Sequence, residues 1–515
     1  MNRHIREIVF ALLSGILTAL AFPRPGLFFL AWVSLIPLVT LLSSRKPGRG
    51  FFLGWCGGFG FYLLLLYWIQ DVPAHYGGMS WALSTLIFVL FAAFLALLWG
   101  IFGLVFCRLR AVFPRVSFIL CAFLWVGLEY ILTHLLTGFP WGLLGNSQYR
   151  NLAFIQVSAI TGVYGLSFLM LLFQSGFVWS MTSRKRAPFF AVLGLVLAVH
   201  AGGWLVLQEN VPKTAETFVG AAIQGNVPPE MEFTLDNADE TFALFDRHLL
   251  LSRRALSEGA RLIVWPELSV PLCFSCGHAY YPRFSHELKS FAREQDCTLL
   301  LGTNETAFSQ EGIPKYYNTA SNLKPDGELS FYYKMHLVPF GEYTPYKPVF
   351  SFISNFTQAI GELTPGNSYV LHDFDGVPFA SPICYEIIFP GIVRNFVNKG
   401  ARFLVTITND AWYGSSWAPH QHFGIAVLRA VETRRYLLRS ATTGISGIID
   451  PYGRVLSRSR LKTEAFLTGS LTPLSRITPY VRYGDWLALL SLTLSGVFLI
   501  LAVRLKRRND KQPDR

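Results

Sequence analysis

Charge is what this sequence has least of. Of its 515 residues only 15% are Asp, Glu, Lys or Arg, against about 25% in an ordinary soluble chain. With a mean hydropathy of +0.38, that shortage excludes a disordered polypeptide and argues against a soluble enzyme. Seven cysteines make no even disulfide framework. His278, His286, His336, His420 and His422 lack metal-ligand spacing, so no metal and no other cofactor is implied. Internal repeats and low-complexity tracts are missing as well.

What fills the chain is apolar sequence in runs of about 20 residues, the length that spans a bilayer. We read eight spans, near 8–22, 27–42, 51–70, 81–106, 116–136, 152–181, 189–207 and 486–503. The net charge of +12 sits around them: the block 211–484 carries 25 basic and 25 acidic residues, its flanks 19 basic and 7 acidic. Of those 19, 17 fall in alternate loops or at the termini; Arg24 and Arg150 are the exceptions. This is a topology signal rather than a nucleic-acid footprint. It puts both termini in the cytoplasm and the polar block outside. The expected division is a membrane domain over 1–210 with about seven helices, an extracytoplasmic domain over 211–484, and an eighth helix with a basic tail over 485–515. The first span has a basic start, and Ala19-Leu20-Ala21 resembles a signal-peptidase site; we expect the span to be retained. Glu129 and His134 lie in or near the fifth span without a clear partner, and a functional and a packing role both stay open. Gly138-Phe139-Pro140-Trp141 reads as an interfacial turn with Trp141 as an anchor.

The block 211–484 alternates short apolar strands with helical patterns, as α/β layered folds do. Expected strands are Phe218–Gln224, Leu262–Trp265, Thr298–Gly302, Asn318–Leu323, Leu329–Lys334, Phe379–Cys384 and Phe403–Thr408. The fourth and fifth flank a Lys-Pro-Asp-Gly-Glu turn and read as a hairpin. Expected helices are Thr241–Glu258, Phe284–Glu294, Pro390–Asn398 and His422–Ser440.

Three strand ends carry chemistry: Glu267 after Val264-Trp265-Pro266, Lys334 after Phe331-Tyr332-Tyr333, and Cys384 after Ser381-Pro382-Ile383. Catalytic groups collect beyond the carboxyl ends of strands in such sheets. Singly, these are a turn glutamate, a solvated lysine and a core cysteine. Together they suit acyl transfer. A thiol with pKa about 8.5 needs a base; Glu267 would supply it, and Lys334 with a backbone N–H after Cys384 would face the oxyanion.

In that order the three residues resemble the Glu–Lys–Cys triad of the nitrilase superfamily. The strings around them sharpen the likeness: Val264-Trp265-Pro266-Glu267, Tyr333-Lys334 through Gly341-Glu342, Ile383-Cys384-Tyr385-Glu386, and Thr408-Asn409-Asp410-Ala411-Trp412-Tyr413-Gly414. With eight spans around it, the chain resembles the membrane-embedded branch of that superfamily, the apolipoprotein N-acyltransferase family, over essentially its whole length. The resemblance implies an αββα sandwich on the periplasmic side of a bacterial inner membrane. It implies transfer of an acyl chain from a phospholipid, typically phosphatidylethanolamine, to the α-amino group of a diacylglyceryl-modified cysteine at the N-terminus of an apolipoprotein. Cys384 would be nucleophile and thioester carrier, Glu267 base and acid, and Lys334 the oxyanion partner. Glu342 would help hold Lys334 and the substrate amine; Tyr385 and Glu386 would lend an N–H and orient the site. The family often has Trp where Phe233 stands, so Phe233 is the expected substrate contact, with an aromatic face but no indole N–H. Cys273 and Cys276 lie outside the pattern and are expected to be non-catalytic; a local disulfide between them is one reading.

The resulting expectation is a ping-pong reaction through a Cys384 acyl-thioester, with water kept out by apolar loops; for Phe350–Phe356 and Pro271–Phe274 a lid role and a core role both stay open. The alternatives are a membrane-bound nitrilase-like amidase or hydrolase, and a non-catalytic membrane binding protein.

Overall fold

The computed structural model describes residues 3–209, 211, 216–228, 237–276, 282–308, 312–346, 348 and 362–510. Phe233 and the Phe350–Phe356 stretch lie outside them. The chain forms two compact units: Met1–Ala74, Met79–Glu209 and Tyr483–Arg515 make one, His75–Gly78 and Asn210–Arg482 the other.

The first unit is helical: α1 (Arg3–Leu20), α2 (Ile36–Leu42), α3 (Pro47–Leu65), α4 (Trp81–Val112), α5 (Ser117–His134), α6 (Val163–Ser183) and α7 (Ala187–Leu207), joined from the far end of the sequence by a helix over Trp486–Asp510. Among the described residues, five helices are long and apolar enough to cross a membrane: α4 to α7 and Trp486–Arg508. A sixth candidate is α3 with Tyr67–His75, bent by 60°. The expected second span takes the form of a 3-10 turn, Phe28–Trp32, followed by the seven-residue α2. The expected sixth span breaks at Gly162, whose φ is +66°.

Small residues set the spacing of these helices. A Cβ at Gly54 would lie 2.2 Å from the Trp99 carbonyl oxygen, and one at Gly103 would lie 2.1 Å from that of Gly50, so α3 and α4 meet backbone to backbone. Glu7, buried on α1, accepts from Arg45 at 2.7 Å and Arg49 at 3.1 Å. Glu129 accepts through Oε1 from Trp125 Nε1 at 3.0 Å and from the Leu144 N–H at 2.7 Å, tying α5 to the loop that follows it. Trp141 is not an interfacial anchor. It is 1% exposed and packs on Trp68, because its turn folds back among the helices.

The second unit is built on two six-stranded sheets. The strands are β1 (Phe218–Gln224), β2 (Ala260–Val264), β3 (Thr298–Phe308), β4 (Pro314–Leu323), β5 (Leu329–Tyr333), β6 (His372–Phe374), β7 (Val377–Ala380), β8 (Phe403–Thr408), β9 (Leu437–Ala441), β10 (Gly447–Ile449), β11 (Val455–Arg458) and β12 (Ala465–Leu471). Their orders are β12-β1-β2-β3-β4-β5 and β11-β10-β9-β8-β7-β6. In each sheet the three central strands β1-β2-β3 or β7-β8-β9 run parallel. They are buried almost throughout, as parallel strands covered on both faces must be. β4 and β5 form the expected hairpin.

The sheets meet face to face through β1 and β9. The Ser440 hydroxyl donates to the Ile223 carbonyl at 2.7 Å, and Gln224 Oε1 accepts from Ser446 and Ser459, each at 2.7 Å. On the outer face of the first sheet lie α8 (Ala238–Ser257) and α9 (Pro282–Glu294). They bury Phe245, Leu249, Phe284 and Leu288 against Ile223, Ile263, Trp265 and Leu301. The second sheet is covered by α10 (Pro390–Asn398) and α11 (Ala418–Thr433), with Phe423 of α11 packed against Gly447. The helix expected to run to Ser440 ends at Thr433, and β9 begins at Leu437. Arg434, at φ +52°, is the left-handed cap that turns the chain back.

Candidate active site

Glu267, Lys334 and Cys384 follow the carboxyl ends of β2 and β5 in one sheet and β7 in the other. Pro266 and Glu267 follow β2, and Gly302 on β3 has no side chain because a Cβ there would lie 2.5 Å from the Glu267 Cα. Lys334 follows β5, its N–H still bound to the Asn318 carbonyl at 2.9 Å. Cys384 is not the last residue of a strand. β7 ends at Ala380, Ile383 makes one parallel bridge to Ile407, and Cys384 opens a 3-10 turn over Cys384–Ile388. Its φ is +49°, a left-handed conformation that a side chain normally avoids.

Lys334 and the two glutamates form one buried cluster. Lys334 Nζ donates to Glu267 Oε1 at 3.1 Å and to Glu342 Oε1 at 2.8 Å, and Asn318 Nδ2 donates to the same two oxygens at 2.7 and 2.9 Å. Glu267 Oε2 accepts from the Asn409 N–H at 2.7 Å; Glu342 Oε2 accepts from the Val338 N–H at 2.7 Å. Lys334 is 1% and Glu267 4% exposed. Burial alone pulls an ammonium down, but Glu267 and Glu342 more than offset it and hold Lys334 well above the usual lysine range.

The Cys384 thiol sits in the same field. Burial pushes it well up, Glu267 adds to that, and Lys334 and a hydrogen bond with Thr408 pull the other way. The thiol is therefore protonated at neutral pH and needs a base. A carboxylate already held by three donors is oriented for that task.

Glu386 joins the lysine loop to the cysteine turn. Its Oε1 accepts from the Tyr332 hydroxyl at 2.7 Å and from the Met335 and His336 N–H groups at 2.8 and 3.1 Å; its Oε2 accepts from the Ile383 N–H at 2.8 Å. It is 0% exposed, and burial raises its carboxyl above the ordinary glutamate range. Tyr385 is buried with its ring against His336 and Phe389. Cys273 and Cys276 form a disulfide in the loop after Glu267, and that loop is held by Glu305, which accepts from the Phe274 and Ser275 N–H groups. Among the described residues no group of three His, Cys, Asp or Glu side chains is arranged to hold a metal ion.

Sequence reasoning quoted Thr408, Asn409 and Asp410 in a motif string without giving them a role, and it missed Asn318 beside Glu267 and Lys334, and His422 and Arg439, which meet Asp410 beneath the cysteine turn. Thr408, Asn409 and Asp410 carried the signal already used for Glu267, since they are polar residues at the carboxyl end of the fully buried β8. Asn318 had no such signal inside its strand.

Similarity to known proteins matches this layout. The apolipoprotein N-acyltransferase N-terminal domain matches residues 14–176, and the carbon-nitrogen hydrolase domain matches residues 221–480. The apolipoprotein N-acyltransferase of Geobacter metallireducens is 38% identical over 514 residues, covering 97% of this chain and 96% of its own. Those of Methylococcus capsulatus and Azotobacter vinelandii are 30% and 33% identical, each over 500 residues, covering 94% and 95% of this chain and 94% of their own in both cases. The resemblance first drawn from four short motifs thus extends along nearly the whole chain, which belongs to the apolipoprotein N-acyltransferase family.

Proposed function

We propose that the chain is a membrane-bound acyltransferase that moves an acyl chain from a phospholipid to the α-amino group of a diacylglyceryl-cysteine at the N-terminus of an apolipoprotein. The donor in this reading is phosphatidylethanolamine. The chain crosses the bacterial inner membrane about eight times, with both termini cytoplasmic, residues 1–210 and 485–515 as the membrane parts and 211–484 as the periplasmic catalytic domain. The distribution of basic residues supports that topology.

The mechanism follows from the cluster. Glu267 takes the thiol proton of Cys384, and the thiolate attacks the ester carbonyl carbon. Lys334 and the N–H groups of the cysteine turn face the developing oxyanion. The C–O bond breaks, Glu267 returns the proton to the leaving oxygen, and a lysophospholipid departs from a Cys384 thioester. The lipoprotein amine attacks that thioester and gives its proton to Glu267. The C–S bond breaks, an amide is released, and the thiolate recovers its proton. Glu342 keeps Lys334 in place and faces the incoming amine; Tyr385 and Glu386 hold the turn. Phe233 is proposed as a substrate contact on sequence grounds alone.

The observation that carries this reading is the buried Lys334 between Glu267 and Glu342, with the Cys384 thiol in the field of that cluster. The test uses the purified chain in detergent, a phospholipid with a labelled acyl chain, and a diacylglyceryl-cysteinyl peptide. Labelled amide that is absent with Cys384→Ala supports the proposal. Labelled free fatty acid without amide points instead to a membrane hydrolase.

A further inference from the structure

Beneath the cysteine turn lies a charged cluster that the acyl-transfer mechanism does not use. Asp410, the first residue of the turn after Asn409, accepts from Arg439 Nη2 on β9 through Oδ2 at 2.8 Å. Its Oδ1 lies 2.9 Å from His422 Nδ1 and accepts from the Thr408 hydroxyl at 3.1 Å. Arg439 Nη2 is also 3.1 Å from His422 Nδ1, and its Nε donates to the Ile445 carbonyl. The three side chains are 0% exposed. The ring's other nitrogen, Nε2, lies 3.1 Å from the main-chain carbonyl oxygen of Cys384. A carbonyl oxygen only accepts, so His422 carries a proton on Nε2 and donates it to Cys384.

Burying an acid, an imidazole and a guanidinium is weak support for stability, since apolar residues of like volume do as well or better. The cluster needs another reason to be there, and the conformation of Cys384 supplies one. A non-glycine residue at φ +49° persists only where its surroundings over-determine it. The same short segment serves both groups: the Asn409 N–H holds Glu267 Oε2, and the Thr408 hydroxyl, which donates to Asp410, draws the Cys384 thiol down against its burial.

We infer that His422, fixed by Asp410 and Arg439, is a positioning residue: by donating to the Cys384 carbonyl it locks the left-handed turn that presents the thiol to Glu267 and Lys334. This deepens the proposed function and rests on Cys384 being the nucleophile.

The test compares full-length wild type with His422→Gln, His422→Asn and Asp410→Asn in detergent, per folded chain. A Gln amide reaches where Nε2 stands, whereas an Asn amide reaches only where Nδ1 stands. One readout is the rate of iodoacetamide alkylation at Cys384, with Cys384→Ala as the blank. The other is kcat and KM for acyl transfer to the diacylglyceryl peptide. His422→Asn is expected to lower kcat about 100-fold with KM within about twofold, the scale of a 1 Å misplacement. It should also slow alkylation, while His422→Gln recovers about tenfold or more of the lost kcat. Asp410→Asn should fall between them. Equal kcat and equal alkylation for the Gln and Asn variants overturn the inference. Should neither His variant fold, Asp410→Asn decides alone: wild-type kcat and alkylation in that variant overturn it. If alkylation keeps the predicted order while wild type transfers no acyl group, the positioning role stands and the acyltransferase reading falls.

Discussion

Glu267 and Glu342 share both of their inner donors, Lys334 Nζ at 3.1 and 2.8 Å and Asn318 Nδ2 at 2.7 and 2.9 Å. Lys334→Met leaves these carboxyl groups facing each other with only an amide between them. We expect acyl transfer to fall by about 10²- to 10³-fold, as when a preorganised oxyanion donor is lost. The expected stability loss is about 3–5 kcal/mol, the range for a broken buried ion pair. Adding Glu342→Gln to Lys334→Met should recover part of the stability and none of the activity, because residues in contact are not additive. Thermal unfolding and acyl-transfer rates check both halves.

A thiol pushed up by burial is a poor free nucleophile. Alkylation of Cys384 by iodoacetamide at pH 7 is expected to be slower than that of a small-molecule thiol. Because the folded pKa is raised, the rate should still be climbing at about pH 9.5, a unit above where an ordinary thiol is half ionised. A plateau near pH 8 would show that the site does not hold the thiol in its protonated form.

Glu386 accepts from four donors on two segments. Glu386→Gln puts an amide where one of them, an N–H or the Tyr332 hydroxyl, must be accepted. We expect it to cost roughly 2–4 kcal/mol, the desolvation of one or two orphaned groups. It should also lower kcat more than it raises KM, because it uncouples the Lys334 loop from the Cys384 turn. An unchanged Tm would argue against the linkage.

The Cys273–Cys276 disulfide closes a very short loop that Glu305 already holds. Replacing both cysteines with alanine should cost no more than about 2 kcal/mol by loop-closure entropy, and kcat should stay within about threefold of wild type. A larger loss of kcat would mean that the loop after Glu267 depends on the disulfide for its shape.

The proposed reacting groups, Glu267, Lys334 and Cys384, stand out in the sequence because each follows an apolar run, and the family resemblance supplies the roles proposed for them. The triad's donors were harder to see. Asn318 lies inside β4, where one polar residue among many alternating ones has no signature. His422 and Arg439 meet Asp410 only through the crossing of α11 and β9, a long-range pairing that periodicity does not report. β9 itself was absorbed into a helix because Arg434, not glycine, takes the left-handed cap. The long apolar strands came through clearly. The short strands β6, β10 and β11 did not, since three or four residues carry too little pattern, and neither did β12, a seven-residue edge strand whose Thr-Gly-Ser breaks its apolar run. In the membrane unit, hydropathy marked the apolar stretches but not their breaks. A seven-residue α2 and the turn at Gly162 are apolar like the helices beside them.

The central claim is that Cys384 carries the acyl group. Intact-protein mass spectrometry tests it on the detergent-purified chain after incubation with phospholipid and no acceptor, alongside Cys384→Ala, each before and after neutral hydroxylamine. The account predicts one acyl-sized mass increment on wild type, removed by hydroxylamine and absent from the variant. A wild-type chain that stays unmodified while the diacylglyceryl peptide is still acylated would contradict it.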